Sequence, residues 1–185
     1  EQIIQSLPQA IQTMLDPADT GPACLSLCQD VQGETFDYSE EFFKERIHNI
    51  RRPKPDDFQI KQAMEKIKNS KKPIIISGGG VFYSDAMDEL GSFAIKHNIP
   101  VTQTVMGYST MKRDHSHFLG PIGGLGGRAA NNLAKETDLA ICVGTKLADF
   151  TTGSWANFEN PEFKLVSINI ARHDANKHLA EAVIG

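Results

Sequence analysis

The chain has 185 residues, of which 40% are hydrophobic and 23% charged, and its formal net charge is −4. This is the composition of an ordinary globular protein that is long enough to bury a substantial core. Lysine and arginine are scattered along the chain, and no apolar run is long enough to span a bilayer. We therefore expect neither nucleic acid nor a membrane as a partner.

The first 33 residues predict a helix, a turn and a strand. Apolar residues recur at helical spacing from Ile4 to Leu15, and the pattern stops at Asp16-Pro17 because proline cannot continue a helix. Gly21-Pro22 then leads into residues 23–27, whose apolar character predicts a short buried strand. A helix, turn and strand in this order are typical of the last part of an α/β sheet. The earlier helices and strands of such a sheet are not present in this sequence. The chain is therefore expected to be part of a longer protein.

Residues 34–55 lose this periodicity. They are rich in acidic and aromatic side chains and end on Pro53-Lys54-Pro55, two prolines that favour an extended path. The stretch is too long for a loop within a compact domain. We interpret it as an interdomain linker.

Residues 56–185 predict alternating helices and strands. Asp56 or Asp57 is expected to cap the first helix, and Ser84 or Asp85 the second, which ends at a left-handed Asn98. A further helix is expected to open at the glycines of 123–127. Continuous apolar runs predict strands at 74–76, 100–105, 139–143 and 164–169, and 182–185 resembles a further strand cut short. Apolar strands separated by helices predict an α/β fold, a doubly wound parallel sheet with helices on both faces.

Glycine-bearing loops follow the predicted strands, where ligands bind in such sheets. Glycine lets a backbone approach a phosphate closely, and a helix N-terminus offers free N–H groups to it. The loops contain Gly78, Gly79 and Gly80; Gly123, Gly124 and Gly126; and Gly144. Residues 124–129 fit the spacing G-x-G-x-x-A, but no strand is predicted to run directly into them. The alternative is that these glycines only form tight turns.

Other reactive residue types show no catalytic pattern. Cys24, Cys28 and Cys142 are expected to be small buried thiols in a reducing cytoplasm. The pairs His115/His117 and His173/His178 lack further metal ligands and are expected on the surface. Neither G-x-S-x-G, a Walker lysine nor H-E-x-x-H occurs. Trp155, the single tryptophan, is expected to cap the core from a loop, or else to serve as a lid or as an anchor at a domain interface.

Several segments together resemble the acetolactate-synthase-like thiamine-diphosphate enzymes; they are 21–31, the proline-bearing linker, 72–80, Leu119-Gly120 and 138–144. The resemblance implies that 1–33 is the tail of a pyrimidine-binding domain, that 34–55 is the linker, and that 56–185 is a Rossmann-like central domain. Segments 43–53, 149–155 and 174–178 look most like the branch of ring-opening C–C hydrolases of inositol breakdown. The stretch 104–127 departs from that branch.

The resemblance also implies where cofactors bind. The family holds thiamine diphosphate and Mg²⁺ with a Gly-Asp-Gly motif followed by Asn-Asn. Gly-Asp-Gly is absent here, and Asn131-Asn132 stands alone. Thiamine diphosphate and Mg²⁺ are thus expected in the parent enzyme but not on this chain, which is expected to carry no catalytic or metal-binding residue.

Acetolactate synthases bind FAD in the central domain, and their contacts fall here on the glycines above and on Lys146, Asp149 and Asn169. A Met and a His are missing from the second loop, both arginines are lost near Asp149, and Asn169 and Ala171 replace two aspartates. Loss of these charged hydrogen-bonding groups argues against FAD. A smaller adenine nucleotide such as ADP, or an unused site, fits better.

The functional prediction is therefore part of a thiamine-dependent C–C hydrolase. The alternatives are a central domain of an acetolactate synthase or 2-oxo acid decarboxylase, and a nucleotide-binding or assembly module. The expected partners are the parent's own pyrimidine- and pyrophosphate-binding domains and further copies in a dimer or tetramer. The expected location is the cytoplasm.

Overall fold

The computed structural model describes all 185 residues, which divide into two compact units, Glu1–Arg52 and Pro53–Gly185. None of its helices is both long enough and apolar enough to cross a membrane.

The first unit contains one α-helix and no strand. Helix α1 covers Ile3–Met14, as the periodicity predicts, and short 3-10 turns cover Val31–Gly33 and Glu40–Phe43. The strand predicted at 23–27 is wrong, because these residues pair with nothing and are exposed. A strand needs a neighbour for its backbone hydrogen bonds, and this unit contains no other strand. Cys24 and Cys28 are consequently exposed rather than buried.

The second unit is a six-stranded, all-parallel sheet in the order β3-β2-β1-β4-β5-β6, which confirms the predicted doubly wound α/β fold. Its strands are β1 Pro73–Ser77, β2 Val101–Gln103, β3 Phe118–Pro121, β4 Leu139–Val143, β5 Lys164–Ile168 and β6 Glu181–Val183. Its helices are α2 Asp57–Asn69, α3 Gly79–Tyr83, α4 Met87–His97, α5 Arg128–Glu136, α6 Asp149–Thr152 and α7 Arg172–Ala175. Val105–Gly107 and Lys177–Leu179 are 3-10 turns.

Strand β1 lies at the centre of the sheet, where Ile75 is in register with Val101 of β2 and Ile141 of β4. Alternate side chains of β1 enter different apolar clusters on the two faces: Ile75 lies in one, and Ile74 and Ile76 lie in the other. All three isoleucines are fully buried. The continuous apolar run thus marks a strand covered on both faces.

Helix boundaries follow the predicted signals only in part. The side chain of Asp56 caps α2 by accepting a hydrogen bond from the N–H of Gln59, and Asn98 ends α4 in the left-handed region. The cap predicted at Ser84 or Asp85 is wrong. The short helix α3 occupies 79–83, Asp85 has φ +54°, and α4 begins after Ala86 without a side-chain cap.

Strand β3 is missing from the sequence prediction. Its residues, Phe118–Pro121, include a glycine and a proline and are half-buried or exposed, as suits the edge of a sheet. This strand ends at Pro121, just before the glycine loop at 123–127. The prediction that no strand runs into this loop is therefore wrong.

Candidate functional site

The candidate site lies beyond the carboxyl ends of the strands, where the loops after β1 and β4 meet. The order of the sheet reverses between these two strands, so this is the point where a ligand crevice forms in such folds. The N–H of Gly78 donates to the carbonyl of Val143 at 2.8 Å, and the N–H of Gly80 donates to that of Gly144 at 2.9 Å. The two loops therefore bond directly to each other.

The glycines at this point are required by the contact between the loops. A Cβ atom on Gly78 would lie 2.4 Å from the carbonyl oxygen of Gly144, and one on Gly80 would lie 2.6 Å from the Gly144 Cα. Gly144 also has φ +59°, and its N–H donates to the carbonyl of Ile168. The N–H groups of these three glycines thus bind other loops and strands, which favours the tight-turn interpretation for them.

A second glycine loop follows β3 and is held by Asn131 of α5. The Asn131 side chain accepts a hydrogen bond from the N–H of Gly123 at 3.0 Å and donates to its carbonyl at 3.1 Å. The N–H of Gly124 donates to the carbonyl of Phe150 at 2.9 Å, and that of Gly126 to Gly123. The loop after β3 is therefore fixed against the loop after β4. Sequence reasoning left Asn131 without a role.

The three polar candidates have different surroundings. Asn169 is buried and donates to the carbonyl of Thr145 at 3.0 Å, so it braces the loop after β4. Asp149 is exposed and accepts a hydrogen bond from the Ser154 hydroxyl. Lys146 is exposed and makes no ion pair, which leaves its ammonium group free for an anion.

Apolar side chains project from the same edge of the sheet. Met106 and Tyr83, after β2 and β1, are 80% and 78% exposed, and Leu125 and Phe150, after β3 and β4, are 68% and 57% exposed. The Phe150 ring lies against the backbone of Gly124. An edge that carries both exposed aromatic or apolar groups and an unpaired lysine is suited to a planar ring carrying a negative charge.

Gln103 is a further residue of this edge that the sequence does not single out. It ends β2, is 6% exposed, and its side-chain oxygen is buried without a hydrogen-bond partner. Such an atom is costly unless water or a ligand satisfies it.

The residues of this chain do not fit thiamine diphosphate and its metal. No group of three or more His, Cys, Asp or Glu side chains is placed to hold a metal ion. The glycine N–H groups that could bind a diphosphate are largely engaged by the protein itself. This chain therefore offers no ligand set for the metal of thiamine diphosphate.

Other reactive side chains lie away from this edge or are inert. Burial raises the pKa of the Cys142 thiol to about 12, so it stays protonated at neutral pH. His115 and His117 are half-buried rather than on the open surface, whereas His173 and His178 are exposed as expected. Trp155 packs against Phe158 at the rim of a core cluster, which agrees with its predicted capping role.

A surface cavity of about 350 Å³ lies at the opposite, amino edge of the sheet. Asp138 lines it, accepting hydrogen bonds from the Ser70 hydroxyl and from the N–H groups of Lys71 and Lys72. Burial acts to raise the pKa of Asp138, but these hydrogen bonds outweigh it and leave the pKa below its ordinary value. The carboxylate holds the start of β1 and is satisfied within the protein.

Comparison with known proteins gives one family. Residues 60–185 match the family described as the thiamine pyrophosphate enzyme, central domain. The chain is 45% identical, over all of its 185 residues, to 29% of a 3D-(3,5/4)-trihydroxycyclohexane-1,2-dione hydrolase from Clostridium perfringens strain 13. It is 47% identical, over 96% of its length, to 28% of the hydrolase of the same name from Clostridium botulinum strain Eklund 17B.

The fold is also known from a solved structure. An X-ray structure of a candidate thiamin diphosphate-dependent enzyme from Mycobacterium smegmatis matches 76% of this chain and 27% of that one, with a TM-score of 0.59 and 22% identity. The chain spans less than a third of the length of the curated relatives it matches.

Proposed function

This chain belongs to the thiamine pyrophosphate enzymes, as their central domain, and we propose that it serves in a hydrolase that opens the ring of trihydroxycyclohexane-1,2-dione. The observation that carries the proposal is identity of 45% along the whole chain to a protein of that name, rather than over one conserved motif. The reaction cleaves a C–C bond and belongs to inositol breakdown.

Within such an enzyme this chain has a structural role. Thiamine diphosphate, bound together with Mg²⁺ by other domains, would supply the chemistry of C–C bond cleavage by stabilising a carbanion. The chain contributes a rigid parallel sheet whose carboxyl edge carries the loops described above. We expect the isolated chain to be inactive.

We further propose that the first unit completes a neighbouring domain of the parent. None of its residues is buried, and the apolar stretch 23–27 is free to join a sheet. The partners would be the pyrimidine- and pyrophosphate-binding domains, in a dimer or tetramer. Three free cysteines, without a disulfide, favour a reducing cytoplasm.

The test of the reaction is an assay of the full-length parent with the cyclic dione and with pyruvate, each with and without thiamine diphosphate. Thiamine-dependent ring opening supports the proposal. Consumption of pyruvate without turnover of the dione would instead select a synthase or decarboxylase of 2-oxo acids.

We also propose that the carboxyl edge binds an adenine nucleotide smaller than FAD. Its polar contacts would come from Lys146 and Asp149. The predicted glycines, Gly78, Gly79, Gly80, Gly123, Gly124, Gly126 and Gly144, and Asn169 would shape the surface around the ligand, because most of their donor groups are bonded within the protein. Lys146 and Asp149 are exposed with polar groups that face solvent, and Phe150 offers a ring surface beside them. The two arginines needed to bind the diphosphate of FAD are absent from residues 146–150.

Calorimetric titration with ADP and with FAD tests this site. We expect ADP to bind and FAD not to bind, with affinity for ADP falling roughly tenfold in Lys146→Ala because one phosphate contact is lost. Lys164→Ala, at the amino edge of the sheet, is the matched control and should bind as the wild type does. Tight binding of FAD would contradict the argument from the missing arginines, and no binding of either would leave the edge as a scaffold.

A further inference from the structure

The chain forms a left-handed turn directly after the short helix α6. Gly153, Ser154 and Trp155 have φ values of +58°, +54° and +67° in succession. Such values suit glycine but are unfavourable for residues that carry a Cβ atom, above all for one as bulky as tryptophan. A backbone conformation of this cost persists only where surrounding contacts hold it, and such conformations cluster at functional segments.

The left-handed turn brings Ser154 back onto Asp149, the first residue of α6. The Ser154 hydroxyl donates a hydrogen bond to the Asp149 carboxylate at 3.1 Å, and the Ser154 N–H donates to the Asp149 carbonyl at 3.2 Å. Because both bonds come from one residue, they fix the carboxylate relative to the backbone that carries it. An extended backbone at 153–155 would lead the hydroxyl away from Asp149.

Trp155 holds the turn from its other end. The centroid of its ring lies 4.6 Å from that of His178 and 5.7 Å from that of Phe158. Together with Phe158 and Phe163 it packs against the apolar cluster on one face of the sheet. Its N–H donates to the Thr152 hydroxyl at 3.3 Å. The packing of Trp155 therefore offsets the cost of the left-handed backbone.

Asp149 is exposed and forms no ion pair, so Ser154 is what restrains its side chain. The hydroxyl of Ser154 occupies Oδ2 of the carboxylate and leaves Oδ1 open to solvent. An exposed side chain that is free to rotate loses entropy when a ligand fixes it. A carboxylate that is oriented in advance avoids this loss on binding and holds its ligand more tightly.

We propose that Ser154 is a positioning residue of the carboxyl edge, which holds the Asp149 carboxylate ready to accept hydrogen bonds from the hydroxyl groups of a ligand. The ribose of an adenine nucleotide carries such hydroxyl groups, and a carboxylate is a suitable acceptor for them. Trp155 anchors the turn and acts through Ser154 without touching the ligand. The inference rests on the nucleotide site proposed above and adds how one of its contacts is prepared.

Calorimetric titration with ADP, combined with chemical denaturation, separates positioning from packing. Ser154→Ala and Ser154→Gly both remove the hydroxyl, and each should raise the ADP dissociation constant about fivefold. Only glycine relieves the left-handed backbone, so the ratio of folded to unfolded chain should rise about threefold in Ser154→Gly and should not rise in Ser154→Ala. An affinity that follows stability across the two variants would make Ser154 merely structural and overturn the proposal.

A double-mutant cycle shows whether Ser154 acts through Asp149. Asp149→Ala should weaken ADP binding about tenfold, and adding Ser154→Ala to it should weaken binding no further. Asp114→Ala removes an exposed carboxylate from the loop before β3, and this matched control should bind ADP as the wild type does. Losses of affinity that add up in the double variant overturn the proposal, because Ser154 would then act independently of Asp149.

Fluorescence tests the turn without any ligand, because Trp155 is the only tryptophan of the chain. Asp149→Ala should shift the emission of Trp155, since the turn loses its hydrogen bond to the carboxylate, whereas Asp114→Ala should leave the emission unchanged. An unchanged emission in Asp149→Ala overturns the proposal whether or not ADP binds. A shifted emission in a chain that binds no ADP refutes the nucleotide site and supports the coupling of the turn to Asp149. Circular dichroism establishes that each variant is folded.

Discussion

At the scale of single residues, the backbone contact between the loops after β1 and β4 depends on Gly144. This residue combines a left-handed backbone, φ +59°, with a Cβ position that would lie 2.6 Å from the Cα of Gly80. Backbone, unlike the end of a flexible side chain, cannot move aside without disturbing the strands. Gly144 is therefore required both by its conformation and by its neighbour.

Gly144→Ala should lower the free energy of unfolding by about 3 kcal/mol, from left-handed strain and the displaced loop together. Chemical denaturation monitored by circular dichroism measures this change in unfolding free energy. Gly127→Ala is the control, because Gly127 has φ −74° and no atom within 4 Å of its Cβ position. We expect that variant to lose no more than about 1 kcal/mol, because Gly127 is the N-cap of α5 and alanine is a poorer cap, and an equal loss in both would refute the packing argument.

Asp138 shows how one carboxylate can order the opposite edge of the sheet. It accepts hydrogen bonds from Ser70, Lys71 and Lys72, the residues that connect α2 to β1. Its pKa is lower in the folded chain than in the unfolded one, so folding favours the ionised form. Its contribution to stability is thus present above a pH of about 4 and is lost as the pH falls further.

Asp138→Asn should cost about 1–2 kcal/mol of unfolding free energy at pH 7, and the difference from the wild type should shrink below a pH of about 4. Denaturation curves across that pH range provide the measurement. Asp114→Asn serves as the control, since Asp114 is exposed and accepts no side-chain hydrogen bond. If the loss of unfolding free energy in Asp138→Asn does not depend on pH, the ionised carboxylate is not the source of the stabilisation.

At the scale of elements, α5 and the loop after β3 form one unit through Asn131. Two hydrogen bonds from a single amide side chain satisfy both the N–H and the carbonyl of Gly123. The adjacent Asn132 is exposed and makes no side-chain hydrogen bond. Two identical neighbouring residues on one helix thus have different roles, because helical geometry turns them to different directions.

Asn131→Ala should destabilise the chain by about 1–2 kcal/mol, because it leaves the buried N–H of Gly123 without a partner and removes one of the two hydrogen bonds to its carbonyl. Asn132→Ala should be neutral or slightly stabilising, since alanine is the better helix former. Thermal unfolding of the two variants measures the difference. Equal melting temperatures would contradict the role assigned to Asn131.

At the scale of the whole molecule, the two units differ in how much of their apolar surface is buried. The second unit has apolar clusters on both faces of its sheet, whereas no residue of the first unit is buried. Burial of apolar surface is the main favourable term in folding. The second unit should therefore unfold cooperatively, and the first should open readily.

Limited trypsin digestion should cut first after Lys44, Arg46 or Arg51, which are exposed in the first unit. A resistant product that begins near Pro53 and retains the sheet is expected, because cleavage inside it requires unfolding. Mass spectrometry of the products over time identifies the cuts. Early cleavage after Lys66 in α2 or Lys135 in α5, which are trypsin sites within the second unit, would contradict this difference between the units.

Elements with a local signal are predictable from the amino-acid sequence alone. Periodic apolar residues gave α1 and α2, and buried runs gave β1, β4 and β5, with β4 placed at Leu139–Val143 as predicted. These patterns suffice because a side-chain period reflects the geometry of one element. They also imply the parallel sheet, since apolar strands separated by helices have few other ways to be covered.

Features that depend on contacts between distant residues emerge only from the three-dimensional fold. The edge strand β3 became visible through its pairing with β2, and residues 23–27 did not become a strand because no neighbour pairs with them. The hydrogen bonds between Asn131 and Gly123, and the contact between Gly80 and Gly144, likewise join segments that are separate in sequence. Hydrogen bonding and close packing across the chain are set by which segments the fold brings together, and that information is not contained in any local window of sequence.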